Sequence, residues 1–243
     1  MKVRQLEQHR ACALLTVAGL ALASLACNGV AHSQEPVQRV PSPLVDESVA
    51  ASAGAEKLVL AGGCFWGIQG VYQHVRGVTR AVSGYAGGDA TTAHYEVVGS
   101  GFTGHAESVE ITYDPKEVTL GTLLQVFFSV AHDPTQLNRQ GPDSGSQYRS
   151  AIFVADEAQK RVVDGYISQL GASHVYQRPI VTKLESLHGF YPAERYHQDY
   201  LTLNPTQPYI AYNDLPKVEN LKRLFPEWYR QRPVLVTAAV SAR

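Results

Sequence analysis

The chain has 243 residues, 44% of them hydrophobic and 18% charged, a globular balance too apolar for a disordered chain. With 21 basic against 22 acidic side chains the net charge is −1, which leaves no basic field to hold a nucleic-acid backbone. Three cysteines are too few for a disulfide-built scaffold.

Residues 1–33 read as an export signal. Lys2, Arg4 and Arg10 make a basic start, and Ala11 to Ala26 is an uncharged, mostly apolar run. That run is shorter than the roughly 20 residues of a spanning helix and suits a signal-peptide core. Ala31-His32-Ser33 offers a small-x-small cleavage site, and Ser24-Leu25-Ala26-Cys27 resembles a degraded bacterial lipoprotein box. An uncleaved anchor is the alternative. The expected destination is the bacterial periplasm or envelope, with membrane attachment only if Cys27 is lipidated. Cys12 is lost with the signal and Cys27 is either lost or lipidated, so Cys64 is then the one free thiol of the mature protein.

Residues 34–56, with Pro36, Pro41 and Pro43 and no aromatics, read as a flexible linker. The folded domain is expected over 57–230 and a loose tail over 231–243. Leu58–Ala61 is a short apolar run leading into Gly62-Gly63. Ile68, Val71, Tyr72 and Val75 recur at helical spacing within Phe65–Val75, and Gly77 ends that helix. His105–Tyr113 alternates as a strand, with Glu107, Val109, Ile111 and Tyr113 on one face. Leu120, Leu123, Leu124, Phe127, Phe128 and Ala131 predict a helix that starts after Thr119. Ser150–Val154 is a buried-type strand. Asp156 caps a following helix, with Gln159 at the capping-box position and Gly171 as its stop. Pro179–Leu184 is a further strand and Pro216–Phe225 a final helix. Strands interleaved with helices give an α/β (α+β) class, a two-layer sandwich.

Cys64 follows a strand and opens a helix, where free backbone N–H groups and the positive dipole end favour thiolate and predict a lowered pKa. Phe65 and Trp66 beside it suit a small apolar group such as a methyl. The plainer alternative is a Cys packed as a small hydrophobe. Glu107 shares its strand face with apolar residues, so a desolvated carboxyl with a raised pKa is expected, unless it lies at the exposed start of the strand. Protonated, it could donate a proton near neutral pH. The loop Ala131–Tyr148 is rich in polar groups and long enough to shape a site or to be merely solvated. The nine histidines show no metal-ligand spacing, and no phosphate-cradling glycine pattern is present. A Cys–His hydrolase using His105 or His197 as base is a rival, as is a non-enzymatic exported binding domain.

Several blocks in order resemble peptide methionine sulfoxide reductase A: Gly63-Cys64-Phe65-Trp66-Gly67, Gly84-Tyr85-Ala86-Gly87-Gly88, Tyr95-Glu96-Val97-Val98, Gly104-His105-Ala106-Glu107, His132 to Gly141, Gln147 to Ile152 and Tyr191 to Tyr200. The resemblance spans roughly Lys57 to Asn204. It implies a two-layer α/β plait, a mixed sheet with helices packed on it and long active-site loops. It also implies reduction of the S epimer of methionine sulfoxide, free or in proteins, with repair of oxidised proteins as the role. By position, Cys64 matches the nucleophile, and Phe65 and Trp66 the methyl pocket. Tyr95, Glu107 and Tyr148 match the groups on the sulfoxide oxygen, and Asp143 a supporting acid. No bound cofactor or metal is implied. The partners implied are oxidised proteins and an external thiol, thioredoxin-like or small; a monomer without nucleic acid is expected. Three positions depart from the family: Gln69, from which little consequence is expected; Pro142 beside Asp143; and Ile210, where many relatives carry a recycling Cys. No Cys follows Cys64, so the usual internal disulfide relay is in doubt.

Overall fold

The computed structural model describes residues 35–46 and 54–236; the export segment, with Cys12 and Cys27, lies outside them. In chain order the elements are β1 (Glu56–Gly62), α1 (Phe65–Gln73), β2 (Val78–Ala86), α2 (Tyr95–Val98), β3 (Ala106–Tyr113), α3 (Leu120–Val126) and β4 (Arg139–Gln140). After them come β5 (Asp143–Ser144), β6 (Ser150–Val154), α4 (Glu157–Ser173), β7 (Lys183–Ser186), β8 (Phe190–Pro192), α5 (Tyr200–Leu203) and α6 (Leu215–Leu224). Six strands form one mixed sheet in the order β7-β6-β1-β3-β2-β8, in which only β6 and β7 run parallel. β4 and β5 make a separate small hairpin.

Alternation along the strands decides which residues meet the helices. Leu58 and Leu60 of β1, Val109, Ile111 and Tyr113 of β3, and Ile152 of β6 join one large core with residues of α1, α3, α4 and α6. Val59, Ala61, Ala106, Ala151 and Phe153 fall on the opposite face, in a smaller cluster without helix residues. The result is a two-layer α/β sandwich: a mixed sheet with helices on one face.

The caps read from sequence do their work. Thr119 accepts the Thr122 amide at the start of α3. Asp156 accepts the Ala158 and Gln159 amides at the start of α4, each such cap being worth about 1 kcal/mol. α3 passes into a single π-helical turn, Phe127–Ala131, which carries the expected apolar stripe onward.

Other expectations need correction. α4 runs past Gly171 to Ser173, and His174, with φ of 51°, takes the left-handed stop. The strand expected over Pro179–Leu184 forms later, as β7, because β6 supplies ladder partners only from Lys183 onward. β2 was not legible in the pattern. It is covered on both sides by β3 and β8 and carries Ser83 and Gly84 where apolar residues would mark a strand.

The segment expected as a flexible linker, 34–56, is docked over Glu35–Asp46. Val40 is buried in the core; its amide donates to Ser129 Oγ at 3.1 Å and its carbonyl accepts from Gln125 Nε2 at 2.7 Å. Arg39 pairs with Glu227 at 2.7 Å and lies over the Phe225 ring. Asp46 accepts the Gly121 amide at 2.8 Å. A single buried apolar anchor with satisfied backbone groups outweighs a linker-like composition. The expected loose tail is likewise tied down where it is described: the Val234 amide donates to Gln73 O and the Val236 amide to Asp199 Oδ1.

Candidate active site

β1 ends in Gly62-Gly63, and the chain turns at once into α1. Gly63 has φ of +93°, and a Cβ there would sit 2.5 Å from the Gln140 side chain, so only glycine fits. Cys64 is the residue before the helix, 8% exposed. Glu107 reaches the same helix start from the neighbouring part of the sheet: its Oε2 accepts the Phe65 amide at 3.1 Å. The strand alternation thus delivers the carboxyl beneath the thiol, on the buried face.

Burial pushes Glu107 up to about 8, helped by Asp143 and Asp214 and opposed by its bond from Phe65. At neutral pH the carboxyl is mostly protonated. Cys64 departs from expectation. Its pKa is raised well above the usual thiol value, by burial first and then by Glu107 and Asp214; the Trp66 amide and Lys217 oppose this. The first amide of α1 goes to Glu107 rather than to sulfur, so the helix start gives the thiolate less than the sequence suggests.

The aromatic wall is built by partners that the motifs did not assign. Trp66 stacks on Tyr200 at 4.0 Å between ring centroids, and its Nε1 donates to His197 Nδ1 at 3.2 Å. The Phe65 ring lies 5.0 Å from His197 and 5.9 Å from Tyr85. Glu194 fixes the next element, accepting the Tyr95 amide at 3.0 Å and the Tyr85 hydroxyl at 2.8 Å. Tyr95 and Tyr148 are both pushed up by burial and then by Glu107, so both hydroxyls stay protonated as hydrogen-bond donors. Asp143 accepts the Tyr209 hydroxyl. Its pKa is raised by burial, with that bond acting against the rise. Phe65, Trp66, Tyr95, Asp143 and Tyr148 therefore converge on Cys64 and Glu107.

Tyr209, Asp214 and Lys217 also belong to this neighbourhood. Asp214 is fully buried and accepts from Lys217 Nζ at 3.0 Å. The pair fills the space beside Gly67, where a Cβ would fall 2.2 Å from Asp214 Oδ1 and 2.7 Å from Lys217 Nζ. Charged residues on a terminal helix carry no local signal of this placement. Gln69 is consequential after all. It is 1% exposed, donates to Ala81 O and Gln198 Oε1, and accepts the Asp199 amide at 2.8 Å.

Neither histidine of the hydrolase reading is free to act as base on Cys64. His105 spends both ring nitrogens on Gly88 N and Asp89 O, and His197 spends Nδ1 on Trp66. With Nδ1 accepting from Trp66, the His197 ring proton sits on Nε2, and burial lowers the ring's pKa, which makes it a weaker base.

A protonatable carboxyl buried under a helix-opening thiol, walled by aromatic rings and tyrosine hydroxyls, defines a thiol-based oxidoreductase site. The family model for peptide methionine sulfoxide reductase matches residues 56–228. The chain is 65% identical over 189 residues to "Peptide methionine sulfoxide reductase MsrA 2" of Mesorhizobium japonicum, covering 78% of this chain and 97% of that one. It is 49% identical over 190 residues to the protein of the same name from Synechocystis, covering 77% and 89%. Among solved structures, reduced Mxr1 from Saccharomyces cerevisiae matches with a TM-score of 0.58 at 35% identity, covering 64% of this chain and 88% of that one. The methionine sulfoxide reductase A of Corynebacterium diphtheriae matches with a TM-score of 0.54 at 35% identity, covering 71% and 86%. The chain belongs to the peptide methionine sulfoxide reductase family and is an oxidoreductase that reduces methionine sulfoxide in the repair of oxidised proteins.

Proposed function

We propose that Cys64 is the nucleophile and Glu107 the general acid in reduction of the S epimer of methionine sulfoxide, free or in proteins. The observation that carries this reading is the bond from the Phe65 amide to a largely protonated Glu107 one residue from the domain's only thiol. Cys64 sulfur attacks the sulfoxide sulfur. Glu107 delivers a proton to the departing oxygen, and the Tyr95 and Tyr148 hydroxyls hold the charge that develops there. Phe65 and Trp66 enclose the methyl, and Asp143, tied to Tyr209, supports the oxygen side. The net step reduces the sulfoxide to a thioether by two electrons and oxidises Cys64 to a sulfenic acid, which carries the oxygen. A neutral Glu107 suits this chemistry, since a carboxylate there would repel the thiolate. An external thiol, small or thioredoxin-like, then restores Cys64, because no cysteine follows it in the chain.

The test is one equivalent of resolved S or R methionine sulfoxide, without reductant, in the presence of dimedone. One methionine per protein from the S epimer alone, with a dimedone adduct on Cys64, is expected. Turnover of the R epimer, or an intrachain disulfide, overturns the reading. Export rests on the basic start and the apolar run of residues 1–33. Intact mass of the protein from its native host distinguishes cleavage before Gln34 from lipidation at Cys27 and from an uncleaved anchor. The oligomeric state is proposed to be monomeric, to be checked by sedimentation.

A further inference from the structure

Cys64 lines a recess of about 160 Å³ whose lining includes none of Phe65, Trp66, Tyr95, Glu107 and Tyr148. Its walls are Glu35, Pro36 and Val37 of the docked N-terminal segment, the stretch Gln140–Asp143, and the Lys217 and Asn220 side of α6. Of the residues assigned to the sulfoxide only Cys64 and Asp143 line it, so the thiol has a side that Phe65, Trp66, Tyr95, Glu107 and Tyr148 do not wall.

We propose that this recess is the path by which an external thiolate reaches oxidised Cys64. The inference rests on the sulfenic acid reading above. In the resolving step a thiolate sulfur attacks Cys64 Sγ and forms an S–S bond as the S–O bond breaks. The hydroxyl leaves with one proton as water, and a second thiolate then displaces Cys64 thiolate, giving a donor disulfide. Two electrons pass from the donor to Cys64. Displacement at divalent sulfur requires the nucleophile in line with the leaving group. The oxygen is left among Glu107, Tyr95 and Tyr148, so an attacker arriving through their pocket would meet it head-on. The recess offers another approach, and the carboxylates on its walls are engaged: Glu35 and Asp133 pair with Arg178. Asp214 is paired with Lys217, Asp143 accepts the Tyr209 hydroxyl, and Lys217 Nζ has donors beyond the one given to Asp214. Ile210, where relatives often place a recycling Cys, is buried and offers no thiol, so the path serves a donor from outside.

The test separates the two half-reactions in the full-length protein. Asn220→Trp and Val37→Trp narrow the recess from α6 and from the N-terminal segment, at positions outside the sulfoxide pocket. Each variant is charged with one equivalent of S methionine sulfoxide and then mixed with 2-mercaptoethanol or with reduced thioredoxin. The methionine burst should keep its wild-type rate, which also reports a folded site. Loss of sulfenic acid should slow about tenfold or more, as expected where access limits thiol attack. Slowing with both donors means that each uses the recess, and slowing with 2-mercaptoethanol alone means that only small thiols do. Unchanged resolution by 2-mercaptoethanol in both variants overturns the proposal, as does equal slowing of both half-reactions. Absence of any burst in the wild-type protein would instead overturn the reading on which the proposal rests.

Discussion

The Glu107 carboxyl accepts the Phe65 amide at 3.1 Å, taking the first donor of the helix that Cys64 opens. Thiol and acid thus compete for the positive end of one helix, and both rest in their neutral forms at pH 7.

Glu107→Gln keeps a group that can accept the amide but has no proton to deliver. The single-turnover rate of sulfoxide reduction should fall by roughly 10²–10⁴, the usual range for losing a general acid. In the wild type, the proton donor disappears as pH rises through about 8. Rapid-quench rates from pH 6 to 10 check both. A variant within about tenfold of wild type would remove Glu107 from the acid role.

The same shift bears on stability, with a definite sign. The folded pKa lies above the unfolded value, so the folded state binds more protons between about 4.5 and 8. Stability from this group is complete below that window and is lost as pH rises through it. Relative to wild type, Glu107→Gln should gain stability between pH 5 and 8.5, by a few kcal/mol at most. Urea melts at the two pH values measure the difference.

Cys64 should alkylate slowly with iodoacetamide at pH 7 and keep accelerating beyond pH 9, since burial holds its pKa up. A plateau below pH 8 would contradict that. Slow alkylation therefore does not by itself mark an inert cysteine here. Cys64→Ser should abolish sulfoxide reduction and leave the fold intact.

Gly67→Ala drives a methyl into Asp214 and Lys217. Separating a buried pair costs about 3–5 kcal/mol, so the thermal midpoint should drop by several degrees or more. Calorimetry decides it. A loss under about 1 kcal/mol would show that the pair relaxes without cost.

Removing residues 34–46 uncovers the Val40 site and the Ser129 and Gln125 groups that it satisfies. Burial of one valine is worth about 1.5–3 kcal/mol, so a stability loss of at least that order is expected. A truncated protein with an unchanged urea midpoint would mean that the segment is not held in solution.

Legibility from sequence followed locality. The β3 alternation placed Glu107 on the buried face, and the apolar stripes and caps of α3 and α4 were written within a few residues of each element. What escaped depended on distant partners. Val40 reads as linker until its pocket beside Ser129 is known. Cys64 reads as a low-pKa thiol until Glu107 takes the first amide and Asp214 arrives from the turn before α6. His197, Tyr200 and Glu194, which set the aromatic wall, lie in a stretch without periodicity.

β3 pairs with β2 along its length, including Tyr85↔Glu107, but its ladder with β1 runs only from Glu56↔Tyr113 to Leu60↔Val109 and stops two residues short of Glu107. The sheet forks where β1 turns away toward Cys64, and the carboxyl stands in the crotch of that fork. Side chains alternate faces strictly, so a slip of β3 by one residue would present Ala106 or Ser108 under Phe65 and swing Glu107 out of the core. Chemical competence is thus quantised by strand register: a misaligned sheet would be catalytically silent, and activity itself reports that β3 has aligned correctly.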